Sequence, residues 1–273
     1  TDVSQWVREG ENELVIKFLS AALTGEKLYD FSPYKIPVSA NDLSELGGMG
    51  DKRVSTFVRK PLYHFGWDWG PRFATCGIYR PVKLIFWHQA RVNEIFVKQE
   101  LLDEEEAVLS VNVELIVNQP GKYEFETIIP DTVREKKVFE LKKGNNHITQ
   151  HFIIKKPRLW QPRNLGDPFL YQCNVNIFFE DKKIFSETVK FGLRNVELVQ
   201  EEDSQGETFY FRINGKPIFA KGANIIPGDV FLADVSEEKT AQMLMDAAEA
   251  NMNMIRVWGG GVYQDDFFYD LCD

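Results

Sequence analysis

The chain has 273 residues, 44% hydrophobic and 13% aromatic, and its 32 Lys and Arg against 41 Asp and Glu give a formal net charge of −9. That is ordinary globular composition, and at about 150 residues per domain the length points to about two domains. The acidic balance, with no basic run longer than pairs such as Lys142-Lys143, excludes a nucleic-acid backbone or an anionic membrane surface as partner, and no stretch approaches the roughly 18 apolar residues of a spanning helix.

In chain order, the first 90 residues are aromatic-rich and broken by turn signals. Glu13 to Phe18 reads as a strand after the turn Glu9-Gly10-Glu11-Asn12, residues 33 to 61 as a long excursion, and Ile78 to Trp87 as a strand again. From Arg91 the apolar residues alternate in short segments, Ala107 to Val117, Gly121 to Ile129, Asn146 to Ile154, Leu170 to Glu180 and Lys183 to Phe191. Turn residues such as Asn118-Gln119-Pro120-Gly121 separate them. That spacing predicts an immunoglobulin-like sandwich over 91–193, here without its cysteine pair.

After Arg194 a hairpin is expected around Asn214-Gly215-Lys216-Pro217. A helix capped at Asp234, with Ala241, Leu244, Ala247 and Ala248 on one face, should follow. Asn251 to Trp258 reads as a buried strand, and Asp265 to Asp273 opens another helix with Phe267, Phe268 and Leu271 on one side. Strand, helix, strand, helix is the opening of an α/β barrel. Two such units cannot close a barrel, so the sequence reads as part of a longer protein, cut at the front as well as the back.

Cys76, Cys173 and Cys272 are far apart and odd in number, each among apolar or aromatic neighbours, and are expected as buried thiols. His64, His88, His147 and His151 show no ligand spacing. No metal site and no cofactor are expected. The absence of any Asn-x-Ser/Thr acceptor points to a bacterial source, periplasmic or cytoplasmic, rather than a lysosomal-type one.

Two clusters carry chemistry. Tyr63-His64-Phe65-Gly66-Trp67-Asp68-Trp69-Gly70-Pro71-Arg72 sets four aromatics beside a carboxylate. Flat aromatics cover the apolar face of a sugar ring while a carboxylate accepts from its hydroxyls. Composition alone favours the plainer reading, with Trp67 and Trp69 as core residues and Asp68 exposed or capping a turn. The second cluster, Arg256-Val257-Trp258-Gly259-Gly260-Gly261, lies where a barrel strand ends and its loop begins, the rim on which such barrels build active sites. Its glycines suit positive φ or close backbone approach to a ligand. The plainer reading is a flexible strand-to-helix turn, with Arg256 paired to an acid.

These motifs resemble glycoside hydrolase family 2, and within it the β-mannosidase branch. Gly66-Trp67-Asp68-Trp69-Gly70-Pro71 and Gly77-Ile78-Tyr79-Arg80 resemble the end of a jelly-roll sugar-binding domain. Phe191-Gly192-Leu193-Arg194 is similar to the junction after the sandwich domain, and Lys221-Gly222-Ala223-Asn224 and Asn253-Met254-Ile255-Arg256 to the entry of the catalytic barrel. The resemblance implies a multidomain, mainly β chain with an α/β end. Residues 1–90 would be the C-terminal part of the jelly roll, 91–193 the sandwich, and 194–273 the first βα units of a TIM barrel.

It also implies an exo-acting retaining hydrolase whose partner is a β-mannoside oligosaccharide or glycoconjugate, with Trp67, Asp68, Arg256 and Trp258 binding substrate. The retaining mechanism needs two carboxyl groups, and both glutamates are expected beyond Asp273. Glu201, Glu202, Asp203, Asp265, Asp266 and Asp270 read as solvated or helix-start acids, so no catalytic residue is assigned and the segment alone is expected to be inactive. The alternatives are another family 2 exo-glycosidase, a β-galactosidase or β-glucuronidase, or a carbohydrate-binding β-sandwich without catalysis.

Overall fold

The computed structural model describes residues 2–273, without the side chains of residues 45 and 47. The chain divides into two compact units. One comprises residues 1–82, 224–241 and 256–268, and the other residues 83–223, 242–255 and 269–273.

The second unit is dominated by seven strands, β1 (Ala90–Leu102), β2 (Glu106–Val117), β3 (Gly121–Ile129), β4 (Val133–Leu141), β5 (Gly144–Lys155), β6 (Tyr171–Phe179) and β7 (Lys182–Phe191). They form an antiparallel three-stranded sheet, β1-β2-β5, and an antiparallel four-stranded sheet, β4-β3-β6-β7. Strict period-two patterning produces them. Ala107, Leu109, Val111, Val113, Leu115 and Val117 of β2 share one core with Tyr123, Phe125 and Ile129 of β3 and Cys173, Val175 and Ile177 of β6. Inside that core the Thr127 hydroxyl donates to Gln150 Oε1 at 2.9 Å, tying one sheet to the other.

Strand β4 escapes the sequence reading because Val-Arg-Glu-Lys-Lys-Val-Phe-Glu-Leu is charge-rich. It is a sheet edge, where charges protect against further pairing. Its charges are used. Arg134 donates to Glu126 Oε1 at 2.9 Å and the Asn176 amide to Oε2 at 3.0 Å, on a carboxylate whose side chain is 7% exposed. These bonds, Arg134's first, hold the Glu126 carboxyl below its ordinary range.

The junction Phe191-Gly192-Leu193-Arg194 has a packing explanation. Phe191 stacks on Tyr171, Leu193 is fully buried, and the Arg194 guanidinium lies 4.7 Å from the Trp160 ring centre. A Cβ on Gly192 would stand 3.0 Å from that of Trp160, so the indole has room only beside glycine.

Beyond it, β8 (Val196–Val199), β11 (Tyr210–Ile213) and β12 (Lys216–Ile218) make a three-stranded sheet, and β9 (Glu202–Asp203) and β10 (Gly206–Glu207) a short ribbon. The hairpin turn is tighter than expected. Asn214-Gly215 alone make it, both at positive φ, while Lys216 and Pro217 join the edge strand β12, where proline's missing donor goes unused. A two-stranded sheet of β13 (Gly222–Ile225) and β14 (Met254–Val257) follows, with helix α2 (Glu237–Glu249) between its strands in sequence. Among the described residues no barrel closes. The cap of α2 is Ser236, whose Oγ accepts from Lys239 N at 3.2 Å, two residues past the expected Asp234. Strand β14 is shorter than Asn251–Trp258 and half-exposed rather than buried.

The first unit departs most from expectation. No strand forms between residues 2 and 89. Glu13–Phe18 and Ile78–Trp87 form neither strand nor helix, and Leu14, Val15, Leu84, Ile85 and Phe86 are exposed. The secondary structure there is α1 (Ala21–Phe31), capped by the Ser20 hydroxyl, with three 3-10 turns. A small core of Met49, Val54 and Phe65 sits against α1, where a Cβ on Gly25 would come within 3.0 Å of Val54. Asp42, 2% exposed, accepts from Ser44 N and Ser55 N at 2.9 and 3.1 Å and pins the excursion to that core.

Candidate functional site

The aromatic cluster begins in a 3-10 turn, Leu62–Phe65, that buries Tyr63 and Phe65 completely. Gly66 ends it at φ +111°. A Cβ there would lie 2.8 Å from Leu43 Cγ and 2.9 Å from the Asn41 carbonyl oxygen, so only glycine lets the chain turn at this point. Trp67 and Gly70 then exchange backbone hydrogen bonds at 2.9 and 3.2 Å, which places Asp68 and Trp69 at the corner of a tight turn.

Trp69 folds back onto Tyr63, ring centres 5.2 Å apart. Asp68 is exposed, and no hydrogen bond or ion pair engages it among the described residues.

Trp258 completes the cluster. Its indole packs tilted against Trp67 at 5.0 Å and edge-on to Trp69 at 6.0 Å, separations at which aromatic pairs contribute about 0.5–1.5 kcal/mol beyond buried area. None of the three glycines after it has a positive φ. A Cβ on Gly260 would fall 2.2 Å from Trp258 Cζ2, and one on Gly261 3.2 Å from Pro227, so the loop is glycine-rich to close over the indole. Arg256 is exposed and donates to Asn224 Oδ1 at 3.1 Å, an amide rather than the expected acid.

Of the four candidates, Trp67 and Trp258 are thus in contact, Asp68 stands on the Trp67 turn, and Arg256 is oriented by Asn224. Asn224 carries no role of its own in the sequence reading, and Trp69 only that of a sugar-covering or core aromatic. Alternation hides Trp69 among core-like aromatics, and Asn224 meets Arg256 only through the pairing of β13 with β14.

Burial sets the electrostatics beside the cluster. Burial, then the Lys60 charge, pushes His64 down to about 4, and burial pushes Tyr63 up to about 12, so both are neutral at pH 7. The Tyr63 hydroxyl, Trp69 Nε1 and both His64 ring nitrogens are buried without a hydrogen-bond partner among the described residues.

Three of the six acidic residues weighed as catalysts have partners. Asp265 pairs with Arg80 at 2.6 Å, Asp270 with Lys190 at 3.3 Å, and Asp203 Oδ1 accepts from Gln205 N and Gly206 N in the β9–β10 turn. Among the described residues no group of three or more His, Cys, Asp or Glu is placed to hold a metal ion, and no helix is long and apolar enough to cross a membrane. Cys173 is buried as expected, its thiol pushed up to about 11, whereas Cys76 and Cys272 are exposed. Apolar neighbours in sequence do not bury a residue on an unpaired segment or a final turn.

Residues 1–80 match the glycosyl hydrolase 2 galactose-binding domain-like family, and residues 90–194 the glycosyl hydrolases family 2 model. β-Mannosidase B of Aspergillus fumigatus is 34% identical over 97% of this chain and 30% of its own length, and that of Thermothelomyces thermophilus 33% identical over 100% and 31%. A crystal structure of a β-D-mannosidase from Dictyoglomus thermophilum superposes with a TM-score of 0.82 at 37% identity, over 92% of this chain and 30% of that one. The exo-chitosanase of Amycolatopsis orientalis, at 20% identity, 67% and 21% coverage and a TM-score of 0.59, shares the fold. The chain spans about 30% of the length of the curated relatives it matches end to end. Those curated relatives are fungal, which gives the expected bacterial source no support.

Proposed function

We propose, from the premise that the chain belongs to glycoside hydrolase family 2, that it is part of an exo-acting retaining β-mannosidase releasing terminal non-reducing β-D-mannose. Three parts serve that function: residues 1–90 as sugar-binding domain, 91–193 as sandwich, and 194–273 as the beginning of the catalytic barrel. Trp67, Asp68, Arg256 and Trp258 hold the sugar to be released. The observation that carries this reading is the contact of Trp67 with Trp258, which joins two distant motifs beside a carboxylate that nothing else engages.

The chemistry follows from the residue types. An indole face covers the C–H face of the pyranose, the Asp68 carboxylate accepts from two neighbouring hydroxyls, and the Arg256 guanidinium, steadied by Asn224, donates to a ring or hydroxyl oxygen. Held so, the sugar presents its anomeric carbon to a nucleophile and an acid/base about 5–5.5 Å apart, groups this chain does not supply. It positions substrate and does not hydrolyse it.

Mannose titrated into the chain is expected to quench tryptophan fluorescence, and Asp68→Ala to abolish the quench without loss of fold. The chain should leave nitrophenyl β-D-mannoside intact, while the same gene extended on both sides cleaves it faster than the galactoside or glucuronide. Dominant galactoside or glucuronide cleavage would replace mannose by a sister specificity. Hydrolysis by the 273-residue chain itself would overturn the division of labour.

A further inference from the structure

The first unit also holds a cleft of about 420 Å³ whose lining includes neither Trp67, Asp68 nor Trp258. Its wall is the segment leading into the aromatic cluster, with Arg59, Lys60 and His64. Thr75, Tyr79 and Phe231 also line it. The volume lies within the range of small-molecule sites.

Three observations define what it would hold. The first is charge: in a chain of net charge −9, this cleft is lined by two cations and no carboxylate. Lys60 is partly buried, which lowers its pKa, and no ion pair engages it or Arg59 among the described residues. The second is His64, 6% exposed, with neither ring nitrogen hydrogen-bonded. As a neutral imidazole it offers one N–H donor and one acceptor, the complement of a hydroxyl, and Thr75 adds a second hydroxyl-matching group. The third is composition: Tyr79 and Phe231 both line the space, and Phe231 is packed against Phe73 at 5.4 Å between ring centres. Flat apolar walls, hydroxyl-matching groups and paired cations together describe a sugar ring bearing a negative charge.

We propose that this cleft is a second binding site, for an anionic monosaccharide, whose carboxylate or phosphate is taken by Lys60 and Arg59 and whose hydroxyls meet His64 and Thr75. It does not depend on the mannose assignment at the tryptophan cluster.

The test is a titration of the full chain, followed by amide chemical shifts, with glucuronate, mannose 6-phosphate, mannose and acetate as separate probes. Binding of glucuronate or mannose 6-phosphate, with shifts at residues 59–64 and 75–79, is expected, and which of the two binds tighter identifies the anion. Lys60→Gln should weaken it about 10–100-fold, the equivalent of one charge-assisted hydrogen bond, and its combination with Arg59→Gln further, while Lys60→Arg retains it. His64→Gln should weaken it less, and Asp68→Ala should leave it unchanged. Equal binding of mannose or acetate with shifts at residues 59–64 and 75–79, or indifference to the Lys60 and Arg59 substitutions, overturns the proposal. Mannose binding that is lost in Asp68→Ala, without any anion binding, sinks this site and leaves the mannose reading standing.

Discussion

The sandwich of β1–β7 and the aromatic turn around Trp67 are built on opposite economies. In the sandwich the inward faces of β2, β3 and β6 pack into one core, the buried Glu126 has its oxygens taken by Arg134 and Asn176, and Gln150 Nε2 is the one buried side-chain polar atom of β1–β7 without a partner among the described residues. The turn contains comparable aromatic mass, yet the Tyr63 hydroxyl, the Trp69 N–H and the His64 nitrogens are unpartnered, and Asp68 is left open beside them. A region that satisfies itself contributes stability. One that leaves polar groups over is arranged for something else to meet.

The hardest blow to this contrast would come from Phe125→Ala. Phe125 is fully buried and edge-on to Phe139 at 5.4 Å, so the substitution should cost about 3–5 kcal/mol in urea unfolding while the fluorescence of the tryptophan cluster, read before the transition, stays native. Loss of both signals together would show that the turn has no independence.

Gly260→Ala comes next, at about 1–3 kcal/mol, because its Cβ must displace the Trp258 indole. The near-ultraviolet dichroism of the tryptophans should change and mannose binding fall, with the sandwich amides unmoved. An unchanged spectrum would mean that the loop yields instead of the indole.

Acid should separate the regions by pH window. His64 is held near 4 when folded against 6.5 when free, so the unfolded chain takes up a proton first and stability falls from about pH 6.5 to about 4. Glu126 is shifted below its ordinary 4.5, so its contribution is present above that value and is lost only as pH falls further. Hydrogen exchange near Tyr63 should therefore rise on acidification before exchange in β3 and β6 does. His64→Gln should remove the upper window and Glu126→Gln the lower, and coincident windows in the parent chain would refute the separation. The smallest change is expected from Asp68→Ala, which should move stability by less than about 0.5 kcal/mol and affect binding alone.

The same contrast governs what could be read from the sequence. Period-two alternation revealed β2, β3, β5, β6 and β7 because burying one face of a strand dictates residue type at every other position. It missed β4, whose place at an edge needs no apolar face, and it misread Glu13–Phe18 and Ile78–Trp87, which have the pattern of strands and lack neighbours to pair with. At the candidate site the residues Trp67, Asp68, Arg256 and Trp258 were visible as motifs. The Trp67–Trp258 contact was not, since it depends on long-range folding, and the purpose of Gly260 appears only once the indole lies beneath it.

The hairpin turn between β11 and β12 bears on how the molecule ages. Asn followed by Gly is the pair most prone to deamidate, because a backbone nitrogen unhindered by a side chain can attack the carboxamide and close a succinimide. Here the Asn214 carboxamide is held at both ends, Nδ2 donating to the Trp160 carbonyl at 2.9 Å and Oδ1 accepting from Asn195 N at 2.9 Å. Attack requires the group to rotate out of those bonds, so the folded turn protects itself. Isoaspartate at position 214 would then accumulate only in molecules whose β8–β11–β12 sheet has opened, a chemical record of past unfolding that peptide mapping of stored protein can read.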